Sequence, residues 1–289
     1  MQKAIRDEIV RFVLASPGNR HREGEKRYFD EPLVGFASAA DPLFTEYKRI
    51  IGPFHRTPQE WMATEPEAPA MVQGTVICWI LPVTRATRES NRRERVWPSR
   101  EWAHTRNYGE EFNNLLRLHM VAFLSGRGLR AIAPQLSPEF TWFDSAAVGI
   151  ASTWSERHAA YAAGLGTFSL NDGLITERGI AHRCGSVITD LILPPTKRPG
   201  TDPRGNCLYY REGSCGICID RCPAGALSRE GHDKAKCREY LYGDIPRAVA
   251  DRFRISKIGC GLCQTLVPCE GMIPRGKGRP AAGKVARGG

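Results

Sequence analysis

The 289-residue sequence has no apolar run near the ~20 residues that span a bilayer; its longest, around residues 76–83, contains Pro82. A membrane-spanning reading is therefore not expected. A secretory apolar region is missing too. Ile5, Ile9, Phe12 and Val13 recur at helical spacing between charges, which describes an amphipathic helix and places the chain in the cytoplasm by expectation. The seven histidines are scattered, without an HxxxH or HExxH pair, so no histidine metal site is indicated. With neither a GxSxG elbow nor a GxxxxGKS or GxxxxGKT phosphate loop, hydrolase and nucleotide-driven readings lack support. No repeat of solenoid length occurs. What remains is an ordinary globular composition, 42% hydrophobic and 25% charged, with mean hydropathy −0.36.

The formal charge of +10 is concentrated in two places. Residues 85–106 hold seven arginines against three glutamates, and the segment after Ile273 holds five basic residues and no acid. Residues 274–289 are glycine-rich and nearly without apolar side chains, so a disordered, solvated basic tail is expected. A weak contact with nucleic acid or an acidic partner is the competing reading; stable nucleic-acid binding is not expected.

Residues 1–70 read as an N-terminal helix and an irregular, proline-rich segment packing on a main domain. Residues 71–200 alternate helical and strand patterns. Thr75 to Leu81 is a buried strand, residues 109–124 place Phe112, Leu115, Leu116, His119 and Phe123 on one helix face, and residues 130–133 are a short strand. Residues 155–163 predict a helix with a Thr153-x-x-Glu156 capping pattern, and residues 186–193 another strand. Prolines and glycines from Pro194 to Gly205 mark a boundary. Beyond it, residues 201–273 are rich in cysteine.

Of ten cysteines, eight lie between Cys207 and Cys269, while Cys78 and Cys184 stand alone and read as small buried hydrophobes. In a reducing compartment grouped cysteines bind metal more often than they form disulfides. Cys215-Gly-Ile-Cys218-Ile-Asp-Arg-Cys222-Pro223 reproduces the last part of the ferredoxin run C-x2-C-x2-C-x3-C-P. There, three thiolates wrap one 4Fe-4S cubane and the cysteine before proline ligates a second cluster. Glu212 occupies the position of the first cysteine, and Cys207 replaces it across a longer loop. The exchange rule assigns Cys207, Cys215, Cys218 and Cys269 to one cluster and Cys222, Cys237, Cys260 and Cys263 to the other. A four-thiolate zinc site at the two CxxC pairs competes, but it leaves four cysteines idle and does not explain Cys222-Pro223.

A simple ferredoxin does not need ~200 additional residues, so something else is bound or reduced. Ala159, Ala160, Ala162 and Ala163 run into Gly164-Leu-Gly166, where small residues would let a large flat ligand approach the backbone. Packing of the chain on itself is the plainer reading of the same residues. Arg157 and Tyr161 would line that cavity or lie on the surface. A Rossmann reading fails, because the preceding segment is helical and the third glycine position is Ser169.

Several stretches together resemble the epoxyqueuosine reductases, which are related to the reductive dehalogenases, over roughly residues 70 to 270. They are Asn107-Tyr-Gly-Glu-Glu-Phe-Asn-Asn-Leu-Leu116, Phe143-Asp144-Ser145, Glu156-Arg157 leading to Ala163-Gly-Leu-Gly166, Gly185-Ser-Val-Ile-Thr-Asp-Leu191 and Gly261-Leu-Cys-Gln264. The resemblance implies a nitroreductase-like domain of α/β (α+β) class that binds cobalamin, followed by a ferredoxin-like domain with two 4Fe-4S clusters. It implies that the clusters reduce cobalt one electron at a time while an acid, best matched by Asp144, supplies a proton. Tyr161, Gly164, Gly166 and Ser186 are the candidate cofactor contacts. The sequence departs from the family where Thr105-Arg-Asn-Tyr108 is followed by Gly109 instead of histidine, and Asp144 lies farther from Glu156-Arg157. Because 20 residues follow Cys269, the family's helical extension for tRNA is expected to be missing. A small molecule or a modified nucleoside is then the expected substrate class, rather than epoxyqueuosine in tRNA.

The leading expectation is an iron-sulfur oxidoreductase fed by an external donor such as ferredoxin, flavodoxin or a reductase, reducing a bound corrinoid or a substrate directly. The alternative is a non-catalytic electron-transfer protein whose α/β domain is a docking module. A third class, a basic RNA-associated protein with structural clusters, is separated from these by RNA affinity that survives removal of residues 274–289.

Overall fold

The run from Thr75 to Pro82 is apolar without alternation because both of its faces are covered. The structure, a computed structural model, describes residues 1–22, 24–64 and 70–276. Its strands are β1 (Leu33–Ser38), β2 (Thr75–Pro82), β3 (Ala131–Ile132), the hairpin β4 (Trp142–Ser145) and β5 (Gly149–Ser152), the hairpin β6 (Gly166–Phe168) and β7 (Leu174–Thr176), and β8 (His182–Thr189). Strands β1, β2, β8 and β3 form one antiparallel sheet in that order. Each residue of β2 is buried. Ile77, Trp79 and Leu81 join the core on one face, while Val76, Cys78 and Ile80 join that on the other, as the two-residue period of a strand requires.

Helices α1 (Gln2–Ala15), α2 (Leu43–Ile50), α3 (Pro58–Met62), α4 (Arg85–Arg92), α5 (Arg100–Ser125) and α6 (Glu156–Ala162) precede the cysteine-rich part. There follow α7 (Leu208–Glu212), α8 (Ile217–Asp220), α9 (Lys234–Glu239), a π turn and α10 (Ile245–Phe253). One sheet face is covered by α1, through Ile5, Ile9 and Val13, and by α5, through Phe112, Leu116, Met120 and Leu124. The other is covered by α2, α3 and α6 around Phe44, Tyr47, Trp61 and Trp154. The mixed α/β class expected from the sequence is what the chain adopts. Of the tail expected from residue 274, residues 277–289 lie outside the described residues, as do residues 65–69 of the proline-rich segment.

Three local expectations are corrected. Helix α5 begins at Arg100, where the Ser99 hydroxyl accepts a hydrogen bond from the Trp102 amide at 3.2 Å. Its buried stripe runs through Asn113 and Arg117, and Leu115 is exposed. Helix α6 is capped by Ser155, not Thr153, which frees Glu156 to point inward. Strand β8 starts four residues before the expected position, at His182. The openings of α5 and β8 show no apolar period, because Arg100 and Glu101 are exposed and His182 and Arg183 are half-buried polar residues.

His55 is 1% exposed and stacks on Trp154, and neither of its ring nitrogens has a partner among the described residues. Burial pushes its pKa down from 6.5 to about 4. The unfolded chain therefore binds a proton at His55 that the folded chain refuses, and stability falls as pH drops from 6.5 toward 4. His55→Phe is expected to stabilise the protein by roughly 1–3 kcal/mol, the cost of an unpaired buried polar group. It should also flatten the acid limb of Tm against pH; a lower Tm at pH 7 would refute this.

Candidate functional site

Loops and short helices in the last third of the chain bring the eight grouped cysteines into two sets. Cys207 precedes α7, Cys215 precedes α8, Cys218 lies within α8, and Cys269 follows the Val267-Pro268 turn. These four line one partly open pocket together with Leu170, Ile175 and Val267. Burial, followed by the charges of Cys207 and Cys215, pushes the Cys218 thiol up to about 12. Cys269 is raised by burial and by the same neighbours with Cys218. In the second set, burial pushes Cys260 up to about 12, with Cys237 and Cys222 adding to the shift. Cys263 is raised by burial and then by Cys260, Cys237, Cys218 and Cys222. Cys218 thus faces both sets, which makes the sets neighbours.

Thiols raised by burial and by one another stay protonated unless a cationic centre compensates them, and iron in a cluster is such a centre. Among the described residues no three His, Cys, Asp or Glu side chains close around a point that one metal ion could fill. Four thiols spread around a pocket suit the larger cubane. Cys207, Cys215, Cys218 and Cys269 around that pocket are four thiols, the number of ligands a 4Fe-4S cluster takes.

The supports of this module come from the α/β part. Gly261 has φ +63°, and a Cβ there would lie 2.0 Å from the Trp102 ring of α5, so the turn between Cys260 and Cys263 needs glycine. Asn171 donates to the Cys263 carbonyl at 2.8 Å, and the Ala226 amide points at the Cys222 sulfur at 3.3 Å. The amides of Ile180 and Ala181 donate to the carbonyls of Cys269 and Glu270 at 2.8 and 3.2 Å. Glu270 is buried and takes a bidentate ion pair from Arg92 of α4. Arg221 donates to the Thr265 carbonyl at 3.1 Å and to the Glu94 carbonyl at 2.8 Å. Within the basic segment at 85–106, Arg88 and Arg92 fasten the cysteine module through Glu270.

A polar cluster lies beside this junction, where α5, α6 and β8 meet. Arg117, 1% exposed, bonds Glu110 at 3.0 Å and Glu156 at 3.0 Å. Glu110 is also bonded by Arg183, and Ser186 donates to Glu156 at 2.5 Å while accepting from Trp154 at 3.0 Å. Burial raises the Glu156 pKa against the pull of Arg117, whereas Glu110, flanked by three arginines, is held down to about 2 in spite of its burial.

The structure places the other candidate residues as follows. Asp144 is exposed on β4, opposite Ile150 in the hairpin. The neighbouring Phe143 stacks on Phe54, and Lys234 of α9 donates to the Val148 carbonyl at 2.6 Å. That contact sets the hairpin against the helix that carries Cys237. Tyr161 is buried, its hydroxyl 3.5 Å from the Thr201 carbonyl. A Cβ at Gly164 would meet the Lys197 carbonyl at 2.9 Å, and one at Gly166 the Ile175 carbonyl at 2.5 Å. The close approach these glycines permit is therefore to the chain's own backbone. Ser186 is wholly buried in the polar cluster. Tyr161, Gly164, Gly166 and Ser186 do not offer a fit to a corrinoid.

Fold and site together define the class: a mixed α/β chain ending in a module of two four-cysteine groups. Over part of its length the chain is similar to the epoxyqueuosine reductases. It is 35% identical over 119 residues to the epoxyqueuosine reductase of Bacillus cereus, a match covering 39% of this chain and 29% of that one. It spans well under half the length of the curated relatives it matches. The fold matches an epoxyqueuosine reductase structure from Bacillus subtilis with a TM-score of 0.50 at 20% identity, covering 93% of this chain and 66% of that one. A structure of epoxyqueuosine reductase with an epoxyqueuosine-modified tRNA stem loop matches with the same values. No family model matches the sequence. No helix among the described residues is long and apolar enough to cross a membrane.

Sequence reasoning missed Trp102, Asn171, Arg221 and Glu270. Glu270 follows Cys269 directly and Arg221 precedes Cys222, so adjacency to a ligand cysteine was the available signal.

Proposed function

We propose that the chain is an iron-sulfur oxidoreductase of the epoxyqueuosine reductase type. The observation that carries this reading is the gathering of eight thiols into two adjacent sets of four against an α/β sheet. When bound, the two 4Fe-4S clusters supply one-electron transfer. Cys207, Cys215, Cys218 and Cys269 would hold the cluster at the open pocket, where an external donor such as ferredoxin, flavodoxin or a reductase reaches it. Cys222, Cys237, Cys260 and Cys263 would hold the second, on the side of α9 and the Asp144 hairpin. Asp144 is the proposed proton donor, since its exposed strand leaves its carboxyl free to meet a substrate. The substrate class is a small molecule or a modified nucleoside.

Protein purified without oxygen is expected to hold about eight iron and eight sulfide per chain. Iron near one atom, or zinc in its place, would sink the proposal. Cobalt measured after purification from cobalamin-supplied cells decides the corrinoid expectation separately. With a substrate in hand, Asp144→Asn should lower kcat by about 100-fold or more while leaving the iron content unchanged.

A further inference from the structure

Arg106, on α5, is the guanidinium that the polar cluster leaves short of a partner. Its Nη1 is buried and makes no hydrogen bond among the described residues. Glu110, the carboxylate that acts on it most, is already engaged by Arg117 at 3.0 Å and by Arg183 through Nε at 2.7 Å. Arg183 is so near that its charge, ahead of burial, holds Arg106 below its usual range, at about 10. Three arginines thus share two glutamates, and burial favours the neutral form of Glu156. Arg157 adds to the same field, since its charge acts on Cys184 together with Arg183. Like charges that close are retained where an anion completes them.

We propose that Arg106 and Arg183 are the two arms of an oxyanion site that takes a phosphate group, at the seam where α5 and β8 meet the turn at Gly259 and Cys260. The stem of Arg106 lies against Gly259, where a Cβ would come within 2.6 Å of its Cγ. That contact fixes the stem and leaves the fork to the ligand. Arg183 remains about a third exposed, at 31%, so the seam is open to solvent on its side. The two guanidiniums come from different elements, α5 and β8, on either side of Glu110. A tetrahedral oxyanion can accept from both at once, whereas one fork already occupies both oxygens of a carboxylate. The site is independent of the redox reading, and it stands beside the second cysteine set without using its thiols.

The test is thermal melting of the anaerobically purified full chain in potassium phosphate against potassium chloride at equal ionic strength. Iron is measured on the same samples, so a failure of the cluster reading would show separately. A saturable rise in Tm with phosphate is expected. Arg106→Gln should weaken the apparent affinity by about tenfold or more, and Arg106→Lys by less, since it keeps the charge and loses the fork. Arg127→Gln, just past the C-terminal end of α5, should leave the titration unchanged. The dinucleotide UpU is the second arm: saturation at lower concentration than phosphate assigns the group to a phosphodiester of a larger ligand, and the reverse order to free phosphate. Absence of a saturable shift, or one that survives in both Arg106 variants, overturns the site.

Discussion

Cys263→Ala is expected to remove about half of the iron from anaerobically purified protein, from about eight atoms per chain to about four. The charges of Cys260, Cys237, Cys218 and Cys222 all act on Cys263, and under the exchange rule its loss opens one four-thiol set and spares the other. Cys218→Ala should remove the complementary half, because Cys218 shares its pocket with Cys207, Cys215 and Cys269. The informative case is Cys222→Ala. Cys222 follows Cys218 by four residues, so sequence proximity would group it with Cys215 and Cys218, whereas the exchange rule, with its charge acting on Cys260, groups it with Cys260 and Cys237. Electron paramagnetic resonance of the reduced variants should therefore show Cys222→Ala losing the same signal as Cys263→Ala and keeping the one that Cys218→Ala loses. The opposite pattern would overturn the ligand assignment. Cys78→Ala, in the core of β2, should leave the iron content unchanged.

Arg117→Leu is expected to be the most damaging single change to the α/β part, at about 3–5 kcal/mol in denaturant unfolding. The mechanism is the charge left behind. Arg117 answers two buried carboxylates, Glu110 and Glu156, and also donates to the Cys184 carbonyl at 3.2 Å. Leucine fills part of the space and compensates neither carboxylate. Glu156 already tends toward its neutral form, so the loss should be smaller at pH 5 than at pH 8, and adding Glu156→Gln should restore part of the stability. A loss under ~1 kcal/mol at pH 8 would mean that solvent reaches the cluster and screens it.

These two cases divide what the sequence made legible from what it hid. The grouping of the cysteines follows from local spacing, because C-x2-C and C-x3-C-P constrain a short loop whatever surrounds it. Helix α1 and strand β2 were equally plain, since apolar residues at a clear period bury themselves. The polar cluster had no such signal. Arg117, Glu110 and Glu156 carry charge, which a pattern of apolar residues assigns to solvent, and their pairing across α5 and α6 is a tertiary fact. The same blindness placed the start of α5 nine residues late. Gly164 and Gly166 illustrate a different limit: a glycine reports that something comes close, and the carbonyls of Lys197 and Ile175 answer that demand as well as a ligand would. Asp144 was nominated by resemblance, and its exposed place on β4 is information that only the fold could add.

The hydrogen bonds from Ile180 and Ala181 to Cys269 and Glu270 bear on how the protein matures. The last thiol of the first set is presented by a segment docked beside the start of β8, so the pocket is complete only after the sheet has formed. Insertion of that cluster should then be a late event in biogenesis, gated by the folding of residues far earlier in the chain. The other set is held from the same part of the chain by different contacts, the Asn171 bond to the Cys263 carbonyl and the Trp102 ring against Gly261. A cell that loads iron onto this chain would thereby be checking, at the first set, whether the rest of the molecule is in place.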